Sequence, residues 1–495
     1  MAATEFLESS YDKDEMLSSN EEAQTSDSRS KRGGWITFPF ISGTLMGLTL
    51  AVGGWATNLV VYLIEKFHVK SIVATQIINV VNGSTSLLPV LGAIFADSLF
   101  GCFPVICISS SVSLLGILLL ALTAMLKSLR PQACEKGSTL CPTPTKTQFA
   151  VLYIGIALAS VGLGGTRFTL AAMGANQHER AKDQAIFFNW YVVILYVSAV
   201  FGATVIVYIE DSFSWALGFG ICVALTLIGL AIFLLGNGYY KHVKPQGSPF
   251  TSFARIIVAA IRKRNIPISS QREDYYSARV LRWETLKTQG DINSDNSIAK
   301  PWRLCSVQQV EELKSLIKIL PILSSGIFLS TPIAVLMSLT VLQALTMDRH
   351  LGQHFKIPAG SMIVFILTST AISLTFVDRI LYPTWQKLSR QSLTPLQRIG
   401  LGHVFNALGM VVAALMESRR LSMARTHDLI DKPGSTIPLS VFGEAFHYPG
   451  QVTFYYQEFP KSLRSIATAM ISMIMGIAYY FSNGVIDVTR RATGW

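Results

Sequence analysis

Apolar runs of membrane-crossing length recur along most of the chain, and they restrict its fold more than any other feature. A helix needs about 20 mostly apolar residues to cross a bilayer. Ten stretches meet that need: 36–64, 71–95, 103–126, 149–173, 187–209, 215–236, 313–345, 361–381, 398–416 and 462–481. An eleventh, 437–457, is apolar but carries Glu444, His447 and Gln451. Such runs predict an all-α membrane protein of six plus about five spans. The charge agrees: 14% of the 495 residues are charged, against roughly 25% in soluble chains. That scarcity excludes an ordinary cytosolic enzyme. The net charge of +11 is too dilute to suggest a nucleic-acid partner, and it fits a lipid bilayer instead. No metal-ligand spacing, phosphate loop or catalytic triad stands out, so neither a cofactor nor enzyme chemistry is expected.

The polar segments divide the chain. Residues 1–32 are acidic and Ser-rich, and they read as a disordered cytosolic tail open to a kinase or other regulator. Residues 33–236 hold six spans, 237–312 form a linker, and 313–495 hold the second set. Between Asn237 and Val310 stand twelve basic residues against five acidic ones. Basic loops stay on the cytoplasmic side, which places this linker and the N-terminus there. The loop 417–433, with Arg419, Arg420, Arg425 and Lys432, disagrees but is the weaker signal. Phe95-Ala96-Asp97 and Phe376-Val377-Asp378 end the second helix of each half. Repeats of this kind build transporters that hold substrate near the midplane between their halves. Cys134 and Cys141 share a segment on the outer side, where they could form a disulfide or remain free thiols.

Polar groups within spans are costly and therefore informative. Arg167 follows Gly164, Gly165 and Thr166 deep in the fourth span; it either binds substrate or snorkels to the interface. Lys318, before Pro321, and Glu444, with His447, Tyr448 and Gln451 on its helical face, pose the same choice between a site and a structural role. Asn58, Gln76, Asn79, Asn82 and Asn189 can bond across helices or face a cavity. Trp190, Tyr191, Tyr196, Phe446 and Tyr448 can line a pocket or pack helices. Two cations against one clear acid favour a small negative substrate.

The run from Gly92 to Gly101, with Gly164-Gly165-Thr166-Arg167, Phe187-Phe188-Asn189-Trp190, Phe376-Val377-Asp378-Arg379 and the stretch Glu444–Arg464, resembles the plant nitrate/peptide transporter family. The segments 34–40 and 302–310 are similar to its nitrate-excretion subgroup. The resemblance implies a major-facilitator fold of two six-helix bundles, alternating access, and the plasma membrane of a plant cell. Within that plan Arg167, Lys318 and Glu444 are substrate-site candidates. Asn58, Asn79, Asn189, Trp190, Tyr448 and Gln451 are candidate cavity-lining residues. Asp97, Gly101, Asp378 and Arg379 are candidates for a cytoplasmic latch.

The departures from the family pattern matter as much. Proton-coupled members carry E-x-x-E-R/K in helix one, where this chain has Leu45, Met46, Gly47, Leu48 and Thr49. Cys102 stands where the family usually has arginine, and Arg167 where it usually has lysine. The guanidinium keeps the charge and adds a planar fork suited to oxyanions. Against a twelve-span plan, helix ten looks shortened and helix twelve absent. The expectation is passive nitrate efflux without helix-one proton coupling. Alternatives are chloride, an organic anion or peptide, or a shortened product that transports nothing.

Overall fold

The computed structural model describes residues 32–132, 143–242, 249–263, 265, 302, 304–305, 307–345, 349–351, 355–366, 368, 380, 382–389, 395–426 and 464–493. Helices dominate. In the first half they are α1 (Phe38–Trp55), α2 (Leu59–Phe67), α3 (Ser71–Phe95), α4 (Cys102–Met125), α5 (Lys146–Ala175), α6 (Ala181–Phe201), α7 (Val207–Ser212) and α8 (Trp215–Leu235). Then follow α9 (Pro249–Lys263), α10 (Val307–Leu345), α11 (Tyr382–Ser389), α12 (Pro395–Thr426) and α13 (Arg464–Thr493). The strands β1 (His350–Leu351) and β2 (Phe355–Lys356) form one short antiparallel pair.

Eight helices among the described residues are long and apolar enough to cross a membrane. They correspond to the first seven expected spans and the ninth. The eighth, 361–381, lies mostly, and the polar-bearing run 437–457 entirely, outside the described residues, while the last run falls in α13 from Arg464 onward. The first span is not continuous: it breaks at Ala56–Asn58 into α1 and α2. The linker, read from sequence as loop, contains α9, whose Phe253, Ile256 and Ala259 are buried. Its Arg255 guanidinium lies 5.7 Å from the centre of the Trp302 ring.

Glycines let these helices approach closely. A Cβ on Gly116 of α4 would come within 2.2 Å of the Ala159 backbone nitrogen in α5, so no side chain fits at that crossing. Lipid tails are as apolar as leucine, so close van der Waals packing rather than water exclusion holds such helices together. The first-half core gathers Trp55, Tyr62, Phe67, Ile117, Leu120, Leu152, Trp215 and Phe219, all buried. Two helices carry π-helical turns, at Ala96–Phe100 and Gly202–Ile206. Gly101 closes the first of these with φ of 80°, a left-handed value that a side chain would strain. Asp97 lies within that turn.

The halves meet in two ways. Helix α13 runs antiparallel along α3: Gln76 donates to Asp487 at 2.7 Å, Asn79 to Asn483 at 2.8 Å, and Ser472 to the Ser86 carbonyl at 2.8 Å. The second meeting is a gate at one end. There the Ser361 hydroxyl donates to the Ala203 carbonyl at 2.8 Å, and the Tyr208 and Phe355 rings stack at 5.7 Å. Val341, Ala344 and Ala359 join the first-half core at the same end.

The opposite end is tied within the first half. Gly34 donates to the Gln177 carbonyl at 2.8 Å, and the Gln177 side chain bonds the backbone of Met173 and Lys241. The exposed Lys241–Glu179 ion pair, at 2.7 Å, holds the Glu179 carboxyl below its ordinary pKa through the lysine's hydrogen bond and charge. His178 is buried between Trp35, at 4.8 Å, and Phe187, at 5.6 Å. That burial lowers its pKa.

Candidate functional site

A cavity of about 320 Å³ lies between the halves. Its wall draws on α1, α2, α3, α5, α6 and α10, the π-turn after α6, the segment at Ile363 and Ile366, and Tyr479 of α13. Liquid water takes about 30 Å³ per molecule, so the space suits a small ion with part of its hydration shell. Much of the wall is apolar: Val52, Val60, Ile78, Val81, Leu163, Met337, Val341, Ile363 and Ile366. Among the described residues the polar positions are Thr49, Thr57, Asn82, Thr85, Ser338, Thr340 and Tyr479, and Arg167 is the single charged residue lining it.

Sequence dictates how Arg167 is placed. Helix α5 starts at a capping box, in which the Thr145 side chain accepts from the Gln148 N–H and Gln148 accepts from the Thr145 N–H. Gly164 and Gly165 then bring α5 against α3 and α4: added Cβ atoms would meet Leu88 of α3 at 2.3 Å and Ser109 Oγ of α4 at 2.0 Å. Arg167 follows on the next residues, and its carbonyl accepts the Tyr191 hydroxyl at 3.3 Å. Its guanidinium has no hydrogen bond or ion pair to a described residue. An unpaired guanidinium in a largely apolar wall offers five donors and a fixed positive charge to whatever enters.

Other sequence candidates lie elsewhere. Asn58 is buried and donates from Nδ2 to Oε2 of Glu210 at 3.1 Å. Asn79 is buried and bonded to Asn483. Neither is among the described residues lining the cavity; each amide N–H instead bonds a partner on another helix. Asn189 and Trp190 are exposed on α6 and are also absent from the lining. Lys318 is exposed on α10, twenty residues before Ser338; at a rise of about 1.5 Å per residue it stands some 30 Å along the axis from that part of the wall. It is not among the described residues that line the cavity. Glu444, Tyr448, Gln451, Asp378, Arg379, Cys134 and Cys141 lie outside the described residues, as does the side chain of Asp97.

One polar residue that composition concealed is Glu210. It is 1% exposed and packs against Gly218, where an added Cβ would touch Glu210 Cγ at 2.2 Å. Its Oε1 has no hydrogen-bond partner among the described residues. The sequence reading closes the fifth span at residue 209, which leaves Glu210 just outside as an ordinary loop acid. The helix in fact continues through the π-turn to Ser212. Asn58, its partner, also touches the other half: a Cβ on Gly360 would lie 2.7 Å from Asn58 Oδ1.

A family model described as PTR2, the POT family, matches residues 103–494. This chain belongs to the POT family. Protein NRT1/PTR FAMILY 2.7 of Arabidopsis thaliana is 50% identical to it, across 96% of this chain and 89% of that protein. Protein NRT1/PTR FAMILY 2.6, from the same plant, is 50% identical over the same shares. Among solved structures, an auto-inhibited POT family peptide transporter superposes with a TM-score of 0.68 at 17% identity, covering 92% of this chain and 91% of that one. The POT family transporter PepTSo gives 0.66 at 16% identity, covering 92% and 90%. The fold is therefore that of the major-facilitator transporters, and this POT-family chain is a multi-pass membrane transporter.

Proposed function

We infer that the chain carries a small anion, nitrate first and chloride second, passively through the cavity by alternating access. The observation that carries this reading is Arg167, the one charged residue among the described residues in the wall of a cavity shared by both halves. Among the described residues no acid in that wall opposes its charge, which favours anions over cations. The size of the cavity leaves organic carboxylates and sulfates as competitors, which a competition assay ranks.

Passive transport follows from what replaces the charged motif of helix one. Leu45 and Leu48 are buried, and Gly47 lies against the Leu225 carbonyl, 2.7 Å from where a Cβ would sit. These positions pack α1 on α8 and carry no titratable group. Thr49 lines the cavity with a neutral hydroxyl. The positive linker supports a cytoplasmic N-terminus; in the plasma membrane of a plant cell the gate then faces outward and Arg167 lies nearer the cytoplasmic end. An inside-negative potential drives an anion outward by about 2.3 kcal/mol per charge at 100 mV, so efflux needs no coupled proton.

Nitrate and chloride efflux from proteoliposomes tests the reading. Arg167→Ala is expected to cut nitrate flux at low concentration by about 10- to 100-fold, the loss of hydrogen bonds to a charged partner. Arg167→Lys should retain part of it. Equal flux through wild type and Arg167→Ala overturns the site, and flux that requires a proton gradient overturns the passive mechanism.

A further inference from the structure

Four amide side chains sit along α2 and α3 or at their ends, and three donate across helices. Asn58 bonds Glu210, Gln76 bonds Asp487, and Asn79 bonds Asn483. Asn82, one turn beyond Asn79 on α3, differs: it lines the cavity. Its half-buried carboxamide has no hydrogen-bond partner among the described residues. An amide inside a membrane protein normally finds a partner, because leaving it unpaired is costly. The face of α3 turns at this point from the α13 interface, where amides serve packing, to the cavity, where one is left open.

Depth separates Asn82 from Arg167. Gly92 of α3 packs against Gly165 of α5, a Cβ on Gly92 falling 3.0 Å from the Gly165 Cα. Asn82 stands ten residues back from Gly92, about 15 Å along the helix axis, toward the gate. Around it lie Val60, Ile78, Val81 and Val341, with the hydroxyls of Thr57 and Thr85. The Thr85 hydroxyl donates to the backbone carbonyl of Asn82 at 3.0 Å. The Asn82 carboxamide takes no part in that bond, and among the described residues its N–H groups are uncommitted donors on this stretch of wall.

We propose that Asn82 is a second anion-binding station, neutral and gate-side, to which the ion passes after capture at Arg167. The proposal rests on the anion reading of the cavity. A single strong cationic site binds an ion but also retains it; conduction needs a further place weak enough to release it. An uncharged carboxamide supplies donors to a partly dehydrated anion without the Coulombic hold of a guanidinium. Capture then belongs to Arg167 and transit to Asn82, and the two separate kinetically.

Purified full-length protein in proteoliposomes, assayed for nitrate efflux over a concentration series, tests the division. Asn82→Leu, of similar size but without donors, is expected to lower kcat about tenfold while KM stays within about threefold. Asn82→Gln should recover much of kcat, and Arg167→Ala should raise KM. If Asn82→Leu leaves kcat within about twofold, or raises KM at unchanged kcat, there is no separate station and the proposal falls, while the anion reading stands on Arg167. If Arg167→Ala changes neither parameter, the anion reading falls and takes the station with it. Should Asn82→Leu lose its monodisperse peak, Asn82→Ser is judged by the same criteria.

Discussion

The gate and the cavity wall use the same residue types to opposite ends. At the gate, Asn58 is buried, bonded to Glu210 and pressed against Gly360. In the cavity wall, Arg167 and Asn82 have charge or donors that no described residue takes up. A polar side chain in a membrane bundle is either glue or part of a path, and its hydrogen-bond partners show which. Asn79 and Asn82, three residues apart on α3, stand on either side of that division.

The contrast predicts that gate substitutions act on stability and cavity substitutions on transport. Asn58→Leu removes the partner of a buried carboxyl, and it should cost about 2–3 kcal/mol, read as a lower melting temperature in detergent. A loss of transport at unchanged stability would place Asn58 on the path instead. Gly360→Ala comes next. Its new methyl meets Asn58 Oδ1 at 2.7 Å and the Asn58 Cα at 3.2 Å. Overpacking of this kind costs about 1–3 kcal/mol, and here it falls on the closed gate alone. Cysteine-accessibility labelling at Thr57 should therefore rise from the gate side, and unchanged labelling would break the assignment of this contact to the gate.

The smallest effect lies at the other end. Burial holds His178 below its ordinary pKa, so the folded state takes up fewer protons than the unfolded one. Stability contributed there is present above the unfolded value of about 6.5 and is lost as pH falls below it. His178→Phe should flatten the fall in melting temperature between about pH 6.5 and pH 5, by less than the gate variants change it. An identical pH profile in the variant would show that this corner does not sense acid.

Legibility from sequence varied by residue for physical reasons. Eight of the apolar runs reappear as long apolar helices because their length and hydropathy are local properties. Arg167 was conspicuous because a cation in an apolar run is rare wherever it points. Direction was not readable: Asn58, Asn79 and Asn82 look alike in sequence, yet only Asn82 faces the cavity. Lys318 resembles Arg167 in charge, yet it is exposed on α10 and is not among the described residues lining the cavity. Glu210 escaped because the π-turn at Gly202–Ile206 extends its helix past the apolar run that marked the span.

Sequence alone determined that the chain is a helical membrane protein in two halves, that its linker is basic, and that helix one lacks its family's charged motif. Those properties are written in composition and in one-dimensional spacing. Which amides are glue, which cation stands open, and where the halves touch were decided by tertiary structure. Each depends on the helix that happens to lie opposite, and residues more than 150 positions apart, such as Asn58 and Glu210 with |i−j| of 152, meet only when the bundle closes.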